Sequence, residues 1–241
     1  MLHGIDVASY QGAHPDFTGC QVVAIKVTQG NTYVNPYWQS QLAAAREKGC
    51  RIVFYHYPSI SANVQTQFSH FVNTIGTKLQ PRDALCLDWE WYDQHGISEQ
   101  MARDFKDKWV VISRTAKKNK CIIYCDVNNW KNVDTNSNAG DGLWIADYVT
   151  AGKPRIKHPW IGHQYTSKPV DKDVWNFPDV QHWDVWAMAN FPKPPAFKEI
   201  RIAKGDTFTS LAKKYGISIE KLVDDNPQLL KVGEPLRIPN K

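Results

Sequence analysis

Asp88 and Glu90 stand one residue apart at the end of an apolar run, Leu85-Cys86-Leu87-Asp88-Trp89-Glu90-Trp91. In a β-strand, side chains at i and i+2 share a face, roughly 6.5–7 Å apart along the strand. Two carboxylates on one face of a buried strand are costly to hold as charges. Hydrolysis of a glycosidic bond asks for such a pair: one carboxyl protonates the leaving oxygen, and the other attacks or activates water. The separation lies between the retaining and inverting ranges, so the pair does not choose a route. The bland alternative is a surface loop after a strand, with two solvated acids.

The elements that must position the pair follow an α/β pattern. Strands are expected around Gly4–Asp6, Val22–Thr28, Arg51–Tyr57, Leu85–Glu90, Cys121–Tyr124, Leu143–Ala146, Ile161–Tyr165 and Asp171–Phe177. Helices are expected from about Pro36 to Lys48, stopped by Gly49, and along the Val64, Phe68, Phe71, Ile75 face. Another follows a cap near Ser98, with Met101, Phe105, Trp109 and Ile112 on one face. Residues 128–142 read as a polar, Asn-rich loop. The first five strands are interleaved with helices and the last three are joined by loops. This predicts an incomplete, TIM-like (β/α)5(β)3 barrel. A doubly wound sheet is the alternative, but no Gly-rich phosphate loop follows the first strand. Active sites of such barrels sit at the C-terminal strand ends. Asp6, Asp88, Glu90 and Asp171 all fall there, so four carboxylates share one mouth and at least one pKa should rise.

Composition narrows the classes. The 241 residues suffice for one large domain and a small one. Ten Trp and ten Tyr offer flat platforms for sugar rings, or simply a Trp-rich core. The formal charge of +5 is dispersed, which suits an anionic surface such as a bacterial wall and not a nucleic-acid site. No apolar run is long enough for a membrane span. Met1–Asp6 lacks a basic, then apolar, leader pattern, so no signal peptide is expected. Cys20, Cys50, Cys86, Cys121 and Cys125 form no framework pattern, and reduced, mostly buried thiols are expected. Neither a CxxC pair nor HExxH is present, so no metal or cofactor is called for.

Taken in order, Gly4-Ile5-Asp6-Val7-Ala8-Ser9-Tyr10-Gln11-Gly12, Ala24 to Gly30, Tyr55-His56-Tyr57, Asp88-Trp89-Glu90, Leu143-Trp144-Ile145-Ala146, and Gln164-Tyr165-Thr166 with Val170-Asp171 resemble glycoside hydrolase family 25. These are the Chalaropsis-type lysozymes, or N-acetylmuramidases. The likeness spans about residues 3 to 177. It implies cleavage of the β-1,4 bond between N-acetylmuramic acid and N-acetylglucosamine in peptidoglycan. By position, Glu90 matches the family's general acid/base, and Asp88, Asp6 and Asp171 its other cleft acids. Tyr57, Tyr124 and Trp144 fall where the family lines its cleft with aromatics, though Tyr57 and Tyr124 also suit barrel packing. Gln164 is carried over as a further substrate-binding position. The chain departs from the pattern at Gln29, commonly Glu, at Lys172-Asp173, commonly Leu-Asn, and by a shortened segment around 13–20.

Past Trp186 the character changes. The catalytic barrel is expected over 1–188 and a proline-rich linker over 189–197. Residues 198–241 form a small β-α-α-β unit that closely resembles a LysM module, a binder of N-acetylglucosamine-containing glycans. It holds nine basic and six acidic residues, a net of +3.

The leading expectation is a monomeric wall hydrolase whose partner is peptidoglycan, with no nucleic acid and no membrane span. Absence of a leader and free thiols fit a phage endolysin held in the host cytoplasm until release to the wall. A chitinase-type enzyme is the first alternative: Asp83, Asp88 and Glu90 match D-x-x-D-x-D-x-E, but Cys86 fills the middle acid. A non-catalytic wall-binding protein is the second. Lys26 is a candidate internal partner for the acids, and His56 and His163 read as satisfied barrel histidines.

Overall fold

The computed structural model describes residues 1–91, 94–134, 136–191, 197–224, 226 and 235–239. The chain divides into two compact units, Met1–Phe191 and Pro192–Lys241.

The first unit opens with β1 (Leu2–Val7), a 3-10 turn (Ser9–Gln11), β2 (Val22–Gln29) and β3 (Tyr33–Val34). Then come α1 (Trp38–Glu47), β4 (Arg51–Tyr57), α2 (Val64–Ile75), β5 (Ala84–Asp88), α3 (Glu99–Ala116) and β6 (Lys120–Asp126). It ends with α4 (Val127–Asn132), β7 (Leu143–Ala146), β8 (Gly162–Thr166), β9 (Lys172–Trp175) and α5 (Val180–Ala187). Strands β1, β2, β4, β5, β6, β7 and β8 run parallel in that spatial order. Strand β9 pairs antiparallel with both β8 and β1 and closes an eight-stranded barrel. The short β3 folds back on the end of β2 as a hairpin.

The two-residue strand period sorts the side chains into two cores. Ala84 and Cys86 of β5, with Ala24, Val53, Tyr55, Ile122, Tyr124 and Trp144, fill the lumen. Leu85 and Leu87 point outward with Ile25, Phe54 and Ile123, under Phe68, Phe71, Phe105 and Trp109 of α2 and α3. Burial on both faces explains the near-continuous apolar strands. Asn63 accepts from Thr66 N at 3.0 Å and Ser98 from Met101 N at 3.2 Å, so side chains cap α2 and α3 as their sequences suggest.

The structure corrects several boundaries. The Asn-rich segment begins with α4, because Asp126 accepts from the amides of Asn128 and Asn129 and starts a helix there. Met101 lies on α3 but is 42 % exposed, whereas Phe105 and Trp109 of the same expected face are buried. The last strand is shorter than expected. Helix α5 was not anticipated. Trp183 and Ala187 join the lumen core, Trp183 Nε1 donates to Arg82 O at 3.0 Å, and Asp184 pairs with Arg51 at 2.7 Å. Arg51 begins β4, so α5 closes the N-terminal end of the barrel.

In the second unit, β10 (Phe197–Arg201) pairs antiparallel with β11 (Pro235–Pro239), with α6 (Phe208–Tyr215) and α7 (Ile219–Asp224) between them. Thr207 and Ser210 form a capping box at the start of α6, and Gly216 ends it in the left-handed conformation that suits glycine. Ile202, Leu211, Leu222, Leu236 and Ile238 give the unit its own core. Of the expected linker, residues 192–196 lie outside the described residues, as do residues 225 and 227–234 of the second unit.

Candidate active site

The C-terminal strand ends hold the acids. Asp6 is on β1 and Asp88 is the last residue of β5. Asp171 precedes β9, whose antiparallel direction brings its start, not its end, to the same mouth. All four predicted acids, Asp6, Asp88, Glu90 and Asp171, line one pocket of about 140 Å³. Glu90 lies beyond the strand, which corrects the expected strand geometry. Its N–H donates to Asp88 O at 3.1 Å in a tight turn, so the spacing of an extended strand does not apply. Trp89 is fully buried with its Nε1 on Ala102 O at 2.9 Å, so Asp88 and Glu90 still face the pocket together.

Burial governs the charge state of this cluster. The carboxyl of Asp6 is pushed up to about 8 by burial, by Asp171 and by Glu90, against the opposing N–H of Gln164. Asp88 is raised well above the usual carboxylate range by burial, then by Glu90, with Lys26 pulling it down and Asp6 adding to the rise. Burial also raises Asp171. Like charges in a low-dielectric cleft cannot all be ionised, and here protons remain on the carboxyls.

Gln164, Trp144 and Tyr124 do line the pocket, but their polar atoms are already committed. Tyr124 Oη donates to Gln164 Oε1 at 2.9 Å, and Gln164 Nε2 donates to Asp6 Oδ2 at 2.7 Å. Trp144 Nε1 donates to Asp173 Oδ1 at 2.8 Å. These side chains fix the acids in place. Tyr57 does not line the acid pocket. Its ring lies 4.8 Å from Lys26 Nζ, and Lys26 also donates to Gln29 Oε1 at 2.8 Å. Tyr55, two residues earlier on the same face, takes the place expected of Tyr57.

Asp173 was missed as a functional position. It is 1 % exposed, and its Oδ2 is buried with no hydrogen-bond donor among the described residues. Burial first, then Asp6, raises its carboxyl well above the usual range, and the two side chains are within hydrogen-bonding reach. A proton kept on this pair supplies the donor that Oδ2 lacks. The signal in the sequence was the Asp171-x-Asp173 spacing, the same i, i+2 pattern that singled out Asp88 and Glu90. Tyr148, which donates to Gln164 Oε1 at 3.2 Å, lies in a loop and carried no such signal.

The remaining candidates resolve plainly. Asp83 sits at the opposite end of β5, paired with Arg46 at 2.8 Å and accepting from Gln80 N at 2.7 Å. It takes no part in the acid pocket, so the chitinase-like spacing has no counterpart in space. His56 bonds Thr28 and Gln67, and burial lowers its pKa to about 3. His163 bonds the Asp147 carbonyl and the Gly152 amide. All five cysteines are free. Among the described residues no helix is long and apolar enough to cross a membrane.

Comparison with known proteins gives the same picture. The family model of glycosyl hydrolases family 25 matches residues 5–174, and that of the LysM domain matches residues 200–239. An autolytic lysozyme of Clostridium acetobutylicum is 32 % identical over 173 residues, which cover 68 % of this chain and 50 % of that protein. The chain thus spans about half the length of this curated relative. Among solved structures, a family 25 glycosyl hydrolase from Bacillus anthracis superposes with a TM-score of 0.67 at 19 % identity, covering 78 % of this chain and 94 % of that one. The catalytic domain of an endolysin from bacteriophage P40 of Listeria monocytogenes gives 0.58 at 19 % identity, covering 78 % and 98 %. The matched segment runs from within β1 to within β9 and carries all four acids of the mouth, and on it the chain belongs to glycosyl hydrolases family 25.

Proposed function

We propose that this chain is a lysozyme-type N-acetylmuramidase that cleaves the β-1,4 bond after N-acetylmuramic acid in peptidoglycan. The observation that carries the reading is the convergence of Asp6, Asp88, Glu90 and Asp171 on one small pocket, with proton-holding carboxyls beside the more open Glu90. In this reading Glu90 protonates the leaving oxygen and then activates water. Asp88 Oδ1 is buried without a donor among the described residues, and the substrate's 2-acetamido N–H would supply one. That favours attack by the acetamide oxygen, with Asp88 accepting from the acetamide N–H, over attack by Asp88 itself. Asp6, Gln164 and Asp173 hold the floor of the site.

The LysM domain would keep the enzyme on its polymeric substrate and raise the local concentration of glycan. Its net charge of +3 favours an acidic wall. A phage endolysin is the biological setting we infer, on the strength of five unpaired thiols, four of them buried, which suit a reducing cytoplasm before release. Expression in a bacterial cytoplasm should then lyse cells only together with a membrane-permeabilising protein. Lysis without one would remove that setting.

Digestion of purified peptidoglycan tests the chemistry. New N-acetylmuramic acid reducing ends are expected. N-acetylglucosamine ends, or no cleavage, would overturn the assignment. Glu90→Gln should abolish turnover while leaving wall binding intact.

A further inference from the structure

The acid pocket is not closed on the side of Glu90. It runs into a groove of about 520 Å³ that shares Glu90, Tyr124 and Tyr148 with it and extends to Lys131 and Arg155. That groove runs on into a basin of about 580 Å³ which shares Lys131 and Arg155 and adds Lys157 and His158. One wall is α4, carrying Lys131, and the other is the segment after β7, carrying Arg155 and Lys157.

The charge in this basin is unbalanced. Arg155 is neutralised by Asp147, with Nη2 to Oδ1 at 2.6 Å. Asp134, the acid of the basin, is turned to the buried Lys106 at 2.9 Å. Asp126 is occupied by the α4 amides. Lys131 and Lys157 have no hydrogen-bond or ion-pair partner among the described residues, so two unpaired cations line the basin.

We propose that this basin is a binding subsite for a carboxylate of the stem peptide carried by the substrate's own muramyl residue, with Lys131 and Lys157 as the specificity-determining side chains. The inference rests on the muramidase reading above. At the bond that Glu90 would protonate, one sugar is N-acetylmuramic acid, whose 3-O-lactyl group bears a stem peptide with free carboxylates. A group tethered to that sugar must leave the cleft close to Glu90, and the groove is the exit that Glu90 itself lines. A wall phosphate is the other anion that could reach two lysines. The stem carboxylates are favoured because the stem is tethered through the lactyl group at a fixed place relative to the scissile bond, whereas phosphate polymers occupy few residues.

The test uses the full chain on three soluble glycan preparations: phosphate-free glycans with stem peptides, the same glycans after amidase removal of the stems, and glycans retaining wall phosphate. The variant is Lys131→Gln with Lys157→Gln, two exposed positions away from the acids. It should lose roughly three- to tenfold in kcat/KM on the stem-bearing, phosphate-free glycan at low salt, and the loss should shrink as salt screens the charges. On stem-free glycan, which has lost the stem carboxylates and keeps only the short lactyl carboxylate that the amidase frees, it should match the parent. No loss on the stem-bearing glycan, or an equal loss on both, would overturn the subsite. A loss confined to phosphate-bearing glycan would overturn the carboxylate assignment. If the parent cleaves neither stem-bearing nor stem-free glycan, the muramidase reading falls instead, and the two failures are distinguishable.

Discussion

Gln164 Nε2 donates to Asp6 Oδ2 across 2.7 Å, joining residues 158 positions apart. The other end of the same amide accepts from the hydroxyls of Tyr124 and Tyr148. An amide with two hydroxyl donors at oxygen and a carboxyl acceptor at nitrogen has one orientation only. Asp6 is therefore held by a side chain that is itself clamped, which is how a buried carboxyl keeps a fixed rotamer at the mouth of a barrel.

Removing that amide should cost both stability and turnover. Gln164→Leu leaves the Tyr124 hydroxyl and Asp6 without their partner, at about 1–3 kcal/mol for each buried group stranded. Urea denaturation should show a loss of a few kcal/mol. Hydrolysis should fall about tenfold or more in kcat with a smaller change in KM, because the side chain positions an acid and its polar atoms are not free for sugar.

The Asp6–Asp173 pair predicts a pH dependence with a defined sign. Both carboxyls are raised in the folded chain, Asp6 to about 8, so the folded state binds more protons than the unfolded state above the ordinary carboxylate range. The slope of unfolding free energy with pH is then negative. The stability these protons contribute is present at low pH and is lost as pH rises toward 8. His56, lowered to about 3, acts in the opposite sense at acidic pH, so the comparison must be made between variants. Asp173→Asn should flatten the decline between about pH 4 and 8, because an amide donates to Asp6 without titrating. Denaturation midpoints measured across that range for both proteins check it. Parallel curves would show that the pair shares no proton.

Lys106 makes a separate prediction about the barrel wall. Its side chain is fully buried and its Nζ meets Asp134 at 2.9 Å, Asp107 at 3.1 Å and the Asn138 carbonyl at 2.7 Å. Lys106→Met would leave Asp134, also fully buried, as an uncompensated charge. The expected cost is about 3–5 kcal/mol. Adding Asp134→Leu should recover much of it, and a double-mutant cycle by chemical denaturation measures the coupling.

The two units have separate hydrophobic cores, which predicts separable functions. Deleting residues 192–241 should leave a cooperative unfolding transition for the barrel and near-parental hydrolysis of short soluble glycans. Sedimentation with insoluble walls should weaken markedly. An equal loss on soluble and insoluble substrates would show that the second unit supports the barrel and does not act as an anchor.

Local pattern made much of this molecule legible. The apolar runs gave the eight barrel strands, and helical spacing gave α2 and α3. Alternation along β5 sent Asp88 to the lumen with Cys86 and Ala84. Alternation specifies a face but not a height along the barrel axis. Strand tilt and stagger set that height. Tyr57 and Tyr55 share a face, and the register of β4 pairs Tyr55 with Lys26 of β2 and Cys86 of β5, one step deeper in the barrel than Tyr57, where it lines the acid pocket. Helix α5 was illegible for a related reason. Its Trp183 and Ala187 are apolar because they plug the floor of the barrel, and the floor exists only once the sheet has closed.

The amino-acid sequence by itself determined the fold class, the family resemblance, and the set of four acids at strand ends, because strand period and strand end are properties of local pattern. The tertiary structure decided which groups those acids meet. Closure of β9 against β1 and β8 brings Asp173 and Gln164 to Asp6, and the meeting of α4 with the 147–158 segment opens the basic groove beside Glu90. Contacts between residues so far apart in the chain depend on register and burial, and burial is what sets the charge on Asp6, Asp88 and Asp173.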